Sequence, residues 1–477
     1  MAEFPKFEIS ETNRGREQII IEKKYKYNFS LVKKDKNKVF RCTEYKTNNK
    51  CKSYVVLNPK NEIVEIQDKH NHLEKEFDAS ISIVKHKIKE EFKNSANPFD
   101  IKPRILFNEI SQKVGFICPE YDTIKSQINR NMNKNLPSDI NSFDDIPEKS
   151  EYYYTERNEN FMIFKNDKLI VVQSPFQAKL FNEYKENLFA DGTFYISPKI
   201  GYQVFITRNY VKEINSFYTT SFSILKDKEQ LSYEIVLKEL ENNVCKVTKN
   251  TVINPINFHC DFERAISNTA KKVFPNINIR YCIWHYKRNL EVQKNKLCYN
   301  EVEGDNEIYI YYKAITNFPF INPDYIIDIF NKIKKICDEK KYKNFHNFLD
   351  YFKNTYLLSY DVKNWNYYDN IEHLTNNASE SFNNYLNNLF SKKPTFFKLI
   401  YTLKKEESLN YSDYSRRIGG IWKKRKKVLG RTDEIDILIG YYKDLEAELI
   451  ENGKDRNNII ELWFKCLKKL NNRIINL

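Results

Sequence analysis

Four residues near the start of the chain, Cys42, Cys51, His70 and His72, stand in the order C-x8-C-x18-H-x-H. Two thiolates and two imidazoles are the donor set of a tetrahedral structural zinc site. The spacing is not that of the common finger, whose histidines sit three to five residues apart on a helix. Here His70 and His72 close an extended run, where alternate residues share a face, so the site reads as strands folded about one Zn²⁺. Structural zinc contributes about 10–16 kcal/mol of folding free energy in small peptides, and a unit with so thin a core requires such a staple. The competing reading is a chance scatter of Cys and His. It is weakened because His70 and His72 are two of only seven histidines.

Three carboxylates are candidates for a second chemistry. Asp191 lies inside "FADGTFYISP" (189–198). Asp-Gly between apolar runs is a strong hairpin signal, whereas a continuous strand would hold the charge there for chemistry. Asp261, in "NFHCDFERA", ends a strand, or else caps the helix that follows. Glu380, in "TNNASESFNNYLNNLF", is on a helix, or else is the capping-box partner of Asn377. On that helix Phe382, Tyr385, Leu386, Leu389 and Phe390 follow helical spacing as one apolar stripe. Glu380 then falls on the other face with Asn383, Asn384 and Asn387. Two carboxylates 4 Å apart repel by about 4 kcal/mol at an effective dielectric near 20. A pair of divalent cations, Mg²⁺ or Mn²⁺, removes that repulsion and suits phosphoryl transfer.

These residues need elements to position them. Residues 1 to about 18 are polar and read as loose. Residues 19–78 hold short strand-like runs, a small β-rich unit around the zinc ligands. Residues 79–135 turn helical, with two amphipathic stretches joined by "GFICP" and carrying Lys125, Arg130 and Lys134. These read as a helix-turn-helix-like pair or as a two-helix spacer. Residues 136–150 are a linker with two prolines. Residues 151–392 alternate strand and helix, in the order β-β-β-α-β-α-β-α, with a helical insertion at about 296–370. The fold class is therefore α/β multidomain. Residues 393–477 are helical and basic, and include "WKKRKK" (422–427), either a nuclear-import or phosphate-contacting patch or a solvated helix face.

Composition bounds the rest. The 477 residues are 41% hydrophobic and 15% aromatic, enough for a packed core. The formal net charge of +14 favours a polyanionic partner, nucleic acid before a membrane surface. Nine cysteines, an odd number, with no apolar leader, point to a reducing compartment in which paired Cys are read as ligands first. No run of about 18 apolar residues is present, so no membrane span is expected.

Two resemblances join these readings. "VFRCTEYKTNNKCKSYVVLNPKNEIVEIQDKHNH" resembles a FLYWCH-type zinc finger, a relative of the WRKY DNA-binding fold, with Phe40 where that family usually has Trp. "ADGTF", "HCDFERA", "YCIWHYKRNL" and "TNNASESFN" resemble the signatures of Mutator-like element (MULE) transposases. That resemblance implies an RNase H-like DDE core with a helical insertion before the final Glu. It maps the catalytic, Mg²⁺- or Mn²⁺-binding acids onto Asp191, Asp261 and Glu380. Its C-x-x-H motif maps onto Cys282 and His285, which by position end the fifth strand near the same edge and either shape the site or touch DNA, or else are a core Cys and a satisfied His; Trp284 between them reads as a base-stacking ring or as core packing. The resemblance implies double-stranded DNA, element ends and target, as partner, a dimer or larger assembly, and a nuclear location. The second zinc module of many relatives cannot form, since Cys466 is the sole Cys or His after residue 390. A domesticated DNA-binding regulator, or an RNase H-like nuclease without strand transfer, would share parts of this pattern.

Overall fold

The computed structural model describes residues 4–12, 14–95, 98–249, 253–369, 373–374, 377–390, 392–425 and 431–473. The chain divides into two compact units, residues 1–138 and 139–477.

In the first unit six strands form an antiparallel meander in chain order: β1 (Phe7–Glu11), β2 (Glu17–Ile21), β3 (Tyr25–Val32), β4 (Lys38–Cys42), β5 (Tyr54–Leu57) and β6 (Ile63–Gln67). Side chains alternate across the sheet. Ile19, Ile21, Tyr27, Phe40, Val55 and Leu57 point to one core, with Cys42 and Cys51 at its end. Ile20 points the other way, into a second core with three helices, α1 (Glu76–Asn94), α2 (Pro103–Val114) and α3 (Tyr121–Asn135). Along α1 the buried positions Ala79, Ile83, Ile88 and Phe92 form the stripe that helical periodicity requires. Lys125, Arg130 and Lys134 lie exposed on α3.

The N-terminal stretch expected to be loose is instead β1. It pairs with β2 from Phe7↔Ile21 to Glu11↔Glu17. Its two glutamates disguise the pattern, while Ser10 is buried and donates its hydroxyl to the Ser82 carbonyl at 3.2 Å.

The second unit holds a seven-stranded sheet: β7 (Met162–Lys165), β8 (Leu169–Val172), β9 (Asn187–Thr193), β10 (Gln203–Val211), β11 (Ser216–Leu225), β12 (Asn257–Cys260) and β13 (Asn278–Tyr281). The spatial order is β13-β12-β9-β10-β11-β8-β7. β12 runs parallel to β9 and β13, and the remaining pairs are antiparallel. Helix α4 (Pro175–Glu183) precedes β9, α5 (Gln230–Thr248) joins β11 to β12, and α6 (Arg264–Val273) joins β12 to β13. The expected order from β9 onward is present. The β7–β8 hairpin and α4 ahead of it were not anticipated.

After β13 come α7 (Ile283–Leu297), α8 (Tyr299–Gly304), α9 (Asn306–Thr316), α10 (Ile326–Lys340), α11 (Lys343–Phe352) and the short α12 (Val362–Trp365). They close over an aromatic core that includes Tyr286, Tyr312, Phe330, Phe348, Phe352, Tyr356 and Trp365. The buried Trp365 indole N–H reaches the Tyr356 carbonyl at 3.1 Å. The chain then returns to the sheet as α13 (Asn377–Leu389) and α14 (Phe396–Ile418), and ends with the antiparallel pair α15 (Arg431–Glu451) and α16 (Arg456–Arg473), which packs on α9 and α10. Among the described residues no helix is long and apolar enough to cross a membrane.

Candidate active site and metal centre

In the first unit Cys42 ends β4, Cys51 precedes β5, and His70 and His72 follow β6. Their donor atoms all lie within 4.8 Å of one another. Cys42 Sγ is 3.2 Å from His72 Nε2 and 3.7 Å from His70 Nδ1, Cys51 Sγ is 3.5 Å from His70 Nδ1, and the two imidazole nitrogens are 3.1 Å apart. A tetrahedron with Zn–S near 2.3 Å and Zn–N near 2.0 Å has edges of roughly 3.3–3.8 Å, so the four donors fit zinc.

Supporting groups hold the donors. His72 Nδ1 is 2.9 Å from the Leu73 carbonyl. A carbonyl only accepts, so Nδ1 carries the proton and Nε2 is free for metal. His70 Nε2 is 2.8 Å from the Tyr27 hydroxyl, which is 2.8 Å from Ser53 Oγ, and Tyr25 stacks flat on the His70 ring at 3.7 Å. Burial, with His72 alongside, pushes His70 down to about 4, which keeps the imidazole in its neutral, metal-binding form. Burial also pushes the Cys42 thiol up to about 12, so a thiolate there needs a cation beside it. Phe40 is buried against Phe29 and fills the expected core place.

In the second unit Asp191 is not a turn residue. It lies within β9, paired with Ile206, and the strand continues through Thr193↔Val204. β9 is central and its neighbouring residues Leu188, Phe189 and Ala190 are buried on both faces, so it reads as a continuous apolar run around one acid. Asp191 Oδ1 accepts from the Gly192 backbone N–H at 2.7 Å, and Oδ2 accepts from Asn383 Nδ2 at 2.7 Å. A Cβ on Gly192 would come within 2.4 Å of Gln203 Oε1, so this turn of the strand is packed around a glycine.

Asp261 follows β12, the strand parallel to β9. It is not a cap: the residue at the start of α6 is Glu263, without a side-chain capping bond. Glu380 is in the first turn of α13. The capping alternative for it rests on the Asn377 side chain, which lies outside the described part. The apolar stripe of α13 is narrower than expected. Phe382, Leu386 and Phe390 are buried, whereas Tyr385 and Leu389 are each 42% exposed. Asn383 and Asn387, half-buried, share the face of Glu380.

Cys282 and His285 do not end the fifth strand as expected: β13 stops at Tyr281, Cys282 caps α7, and His285 lies in the first turn of α7 between Asp261 and Glu380, because the helix starts directly after the strand. The His285 Nδ1 is 2.8 Å from Asp261 Oδ1 and 3.8 Å from Glu380 Oε1. These are ion-pair contacts without the alignment of full hydrogen bonds. Asp261, Cys282 and His285 also form a set of possible metal donors within 4.8 Å of one another. Burial, then the neighbouring Asp261, push Asp191 up to about 7. Burial raises Glu380 as well, with Asp261 adding to it and His285 opposing. Burial works against charge on His285, but Asp261 and Cys282 outweigh it and hold the imidazole up to about 10. The His285 ring is thus placed to offset charge on Asp261 and Glu380.

Other residues about this site carried no sequence signal of their own. Arg208 of β10 is buried, lies over the Phe382 ring at 4.5 Å, and donates to the Ala378 carbonyl at the start of α13. Arg288 is exposed one turn beyond His285, its guanidinium 4.8 Å from the Trp284 ring. Asn383 could have been found as the residue three beyond Glu380, on the same helix face. In the 422–427 cluster Trp422, Lys423, Lys424 and Arg425 are exposed, and Lys426 and Lys427 lie outside the described residues.

No curated protein sequence matches this chain. Two family models do. The FLYWCH zinc finger domain matches residues 9–72, a span that begins in β1 and ends on the last zinc donor. The MULE transposase domain matches residues 188–289, which covers β9 to α7 with Asp191, Asp261, Cys282 and His285 but stops short of Glu380. The chain therefore joins a FLYWCH zinc finger domain to a MULE transposase domain.

Proposed function

We propose that the protein is a DNA transposase of the Mutator-like class, which binds element-end DNA and catalyses strand cleavage and strand transfer. The observation that carries this is the convergence of three carboxylates from distant parts of the chain. Asp191 comes from β9, Asp261 from the residue just after the parallel neighbour β12, and Glu380 from a returning helix, all about one histidine and one asparagine. The reading carries an RNase H-like DDE core, supported by the strand order β13-β12-β9-β10-β11, in which the two pairs at the β13 end are parallel and the pairs from β9 to β11 antiparallel.

Asp261 Oδ1 and Glu380 Oε1 are buried without an aligned hydrogen-bond donor, which fits hard-cation ligands. Asp191, Asp261 and Glu380 would hold the Mg²⁺ or Mn²⁺ ions, which when bound neutralise the acids and polarise phosphoryl oxygens. The chain's own residues do the rest. Asn383 and the Gly192 N–H fix the orientation of Asp191, His285 restrains Asp261, and exposed Arg288 offers a phosphate contact. The zinc finger and α2–α3 grip DNA, in the nucleus. Joining two element ends requires two such sites, so the acting species is a dimer or larger.

The test is incubation of purified protein with Mg²⁺ or Mn²⁺ and labelled DNA bearing the terminal sequences that flank its gene, beside Asp191→Ala. Cutting and joining by the wild type alone is the expected result. DNA binding by both with cutting by neither would instead identify a domesticated DNA-binding regulator, and cutting without joined products a nuclease.

A further inference from the structure

The loop that leaves Asp191 carries its aromatic side chains outward. Phe194 is 46% exposed, Tyr195 39% and Tyr202 52%. Single exposed aromatics are ordinary on protein surfaces, but these three are gathered within nine residues of the loop that leaves the C-terminal end of β9, the same end of the sheet at which β12 leads to Asp261, and the Phe194 and Tyr202 rings meet edge to face at 5.3 Å. The loop beneath them is firmly held. Ile196 and Ser197 are buried, Tyr202 N–H bonds the Leu225 carbonyl at 2.7 Å, and Gly201 is so close to Ile224 and Ser197 that a Cβ would sit 2.8–2.9 Å from them. The rings are therefore presented by a rigid base.

Two ties locate the rings relative to the acids. Lys228 lies 4.9 Å from the centre of Phe194 and 2.9 Å from Glu263, two residues beyond Asp261. The Tyr195 carbonyl accepts from the Lys393 N–H at 3.0 Å, just past the end of α13. Lys199, Lys392 and Lys393 are exposed around the same rim. Outward rings with cations at their edge match a nucleic-acid strand whose bases are free to stack. Bases within an intact duplex have their faces covered, so the occupant is an unpaired end.

We propose that Phe194 and Tyr202, flanked by Tyr195, form a stacking platform for unpaired nucleobases at a DNA strand end whose phosphate lies at Asp191, Asp261 and Glu380. This rests on the DNA-cleavage reading above for its location, but it is tested by binding. Full-length protein, with Ca²⁺ in place of Mg²⁺ or Mn²⁺ to neutralise the acids, is titrated with a duplex carrying 2-aminopurine in an unpaired end and with the same duplex blunt. The wild type is expected to quench the 2-aminopurine and to prefer the open end about tenfold. Phe194→Ala with Tyr202→Ala removes the quenching and the preference, while Phe194→Tyr with Tyr202→Phe keeps both. Equal quenching by the alanine variant, no preference by the wild type, or a change in oligomeric state alone would overturn the platform. A wild type that stacks but never cuts defeats the cleavage reading and leaves the platform standing, and one that cuts without stacking does the reverse.

Discussion

Asn383 gives its side-chain N–H to Asp191 across 192 positions of sequence. That bond orients one oxygen of a buried carboxylate and ties α13 to β9. Asn383→Ala would leave Asp191 Oδ2 without its donor, a loss of about 1–3 kcal/mol for a buried polar group. Because Asn383 acts through Asp191, the expected result is a fall of about tenfold or more in the cleavage rate with DNA affinity unchanged. Equal loss of binding and rate would show that the side chain is part of the DNA surface instead. The residue types at this scale were largely legible. Cys42, Cys51, His70 and His72 could be grouped because the donors are rare and the chain between them is extended. Asn383 could be placed on the face of Glu380 by its spacing, but its bond to Asp191 could not be read, because that depends on how α13 docks on β9. His285 could be singled out, but not its place between Asp261 and Glu380, because that depends on the angle at which α7 leaves β13.

At the scale of elements, α14 is held to the sheet by buried polar groups as well as by its apolar face. Glu407 is buried, and accepts from Arg157 and Ser174, each at 2.6 Å. Glu406 accepts from Tyr385 of α13 at 3.0 Å. Asp413 accepts from the Tyr218 hydroxyl of β11 at 2.5 Å and from Arg417 Nε at 3.0 Å. Burial alone would raise Asp413, but Arg417 and Tyr218 prevail and hold it below the usual carboxylate range. A carboxyl depressed on folding adds stability above its unfolded value of about 3.9, and that stability fades as pH falls through the folded value. Asp413→Asn should therefore lower the melting temperature near neutral pH, by about 2 kcal/mol of stability. The gap to wild type should close below about pH 4. A gap that persists in acid would place the effect in packing rather than charge. Strand and helix types were readable from β9 to α7 because the strands are short continuous apolar runs, buried on both faces, and α5 keeps near-helical apolar spacing. The failures have physical causes: β1 carries two glutamates that are matched only by Lys87 and Lys89 of α1, a pairing its own sequence does not show, and the breadth of the α13 stripe depends on how squarely the helix meets β9.

At the scale of the whole molecule, the two units rest on different foundations. The first has two small cores, one beside a four-donor metal centre and one shared with α1–α3, and the second has the large aromatic core. Zinc removal is expected to unfold residues 1–138 alone. In thermal melts a chelator should abolish one transition and leave the other, and added Zn²⁺ should restore it. Cys42→Ser should behave as the chelated protein does and lose the bound metal by elemental analysis. A single transition insensitive to chelation would mean that the sheet stands without the ion.

The placement of α13 has a consequence in time. A ribosome that has made residue 290 has completed every strand of the second sheet, both Asp191 and Asp261, and His285. Glu380 and Asn383 are still unmade, and the aromatic helices from α8 to α12 must be synthesised before they appear. Contacts this distant in sequence form late, after nearby structure has gathered. The nascent chain can therefore shape the sheet while its acid cluster remains incomplete, and the last helix to dock on β9 sets the moment at which that cluster is finished.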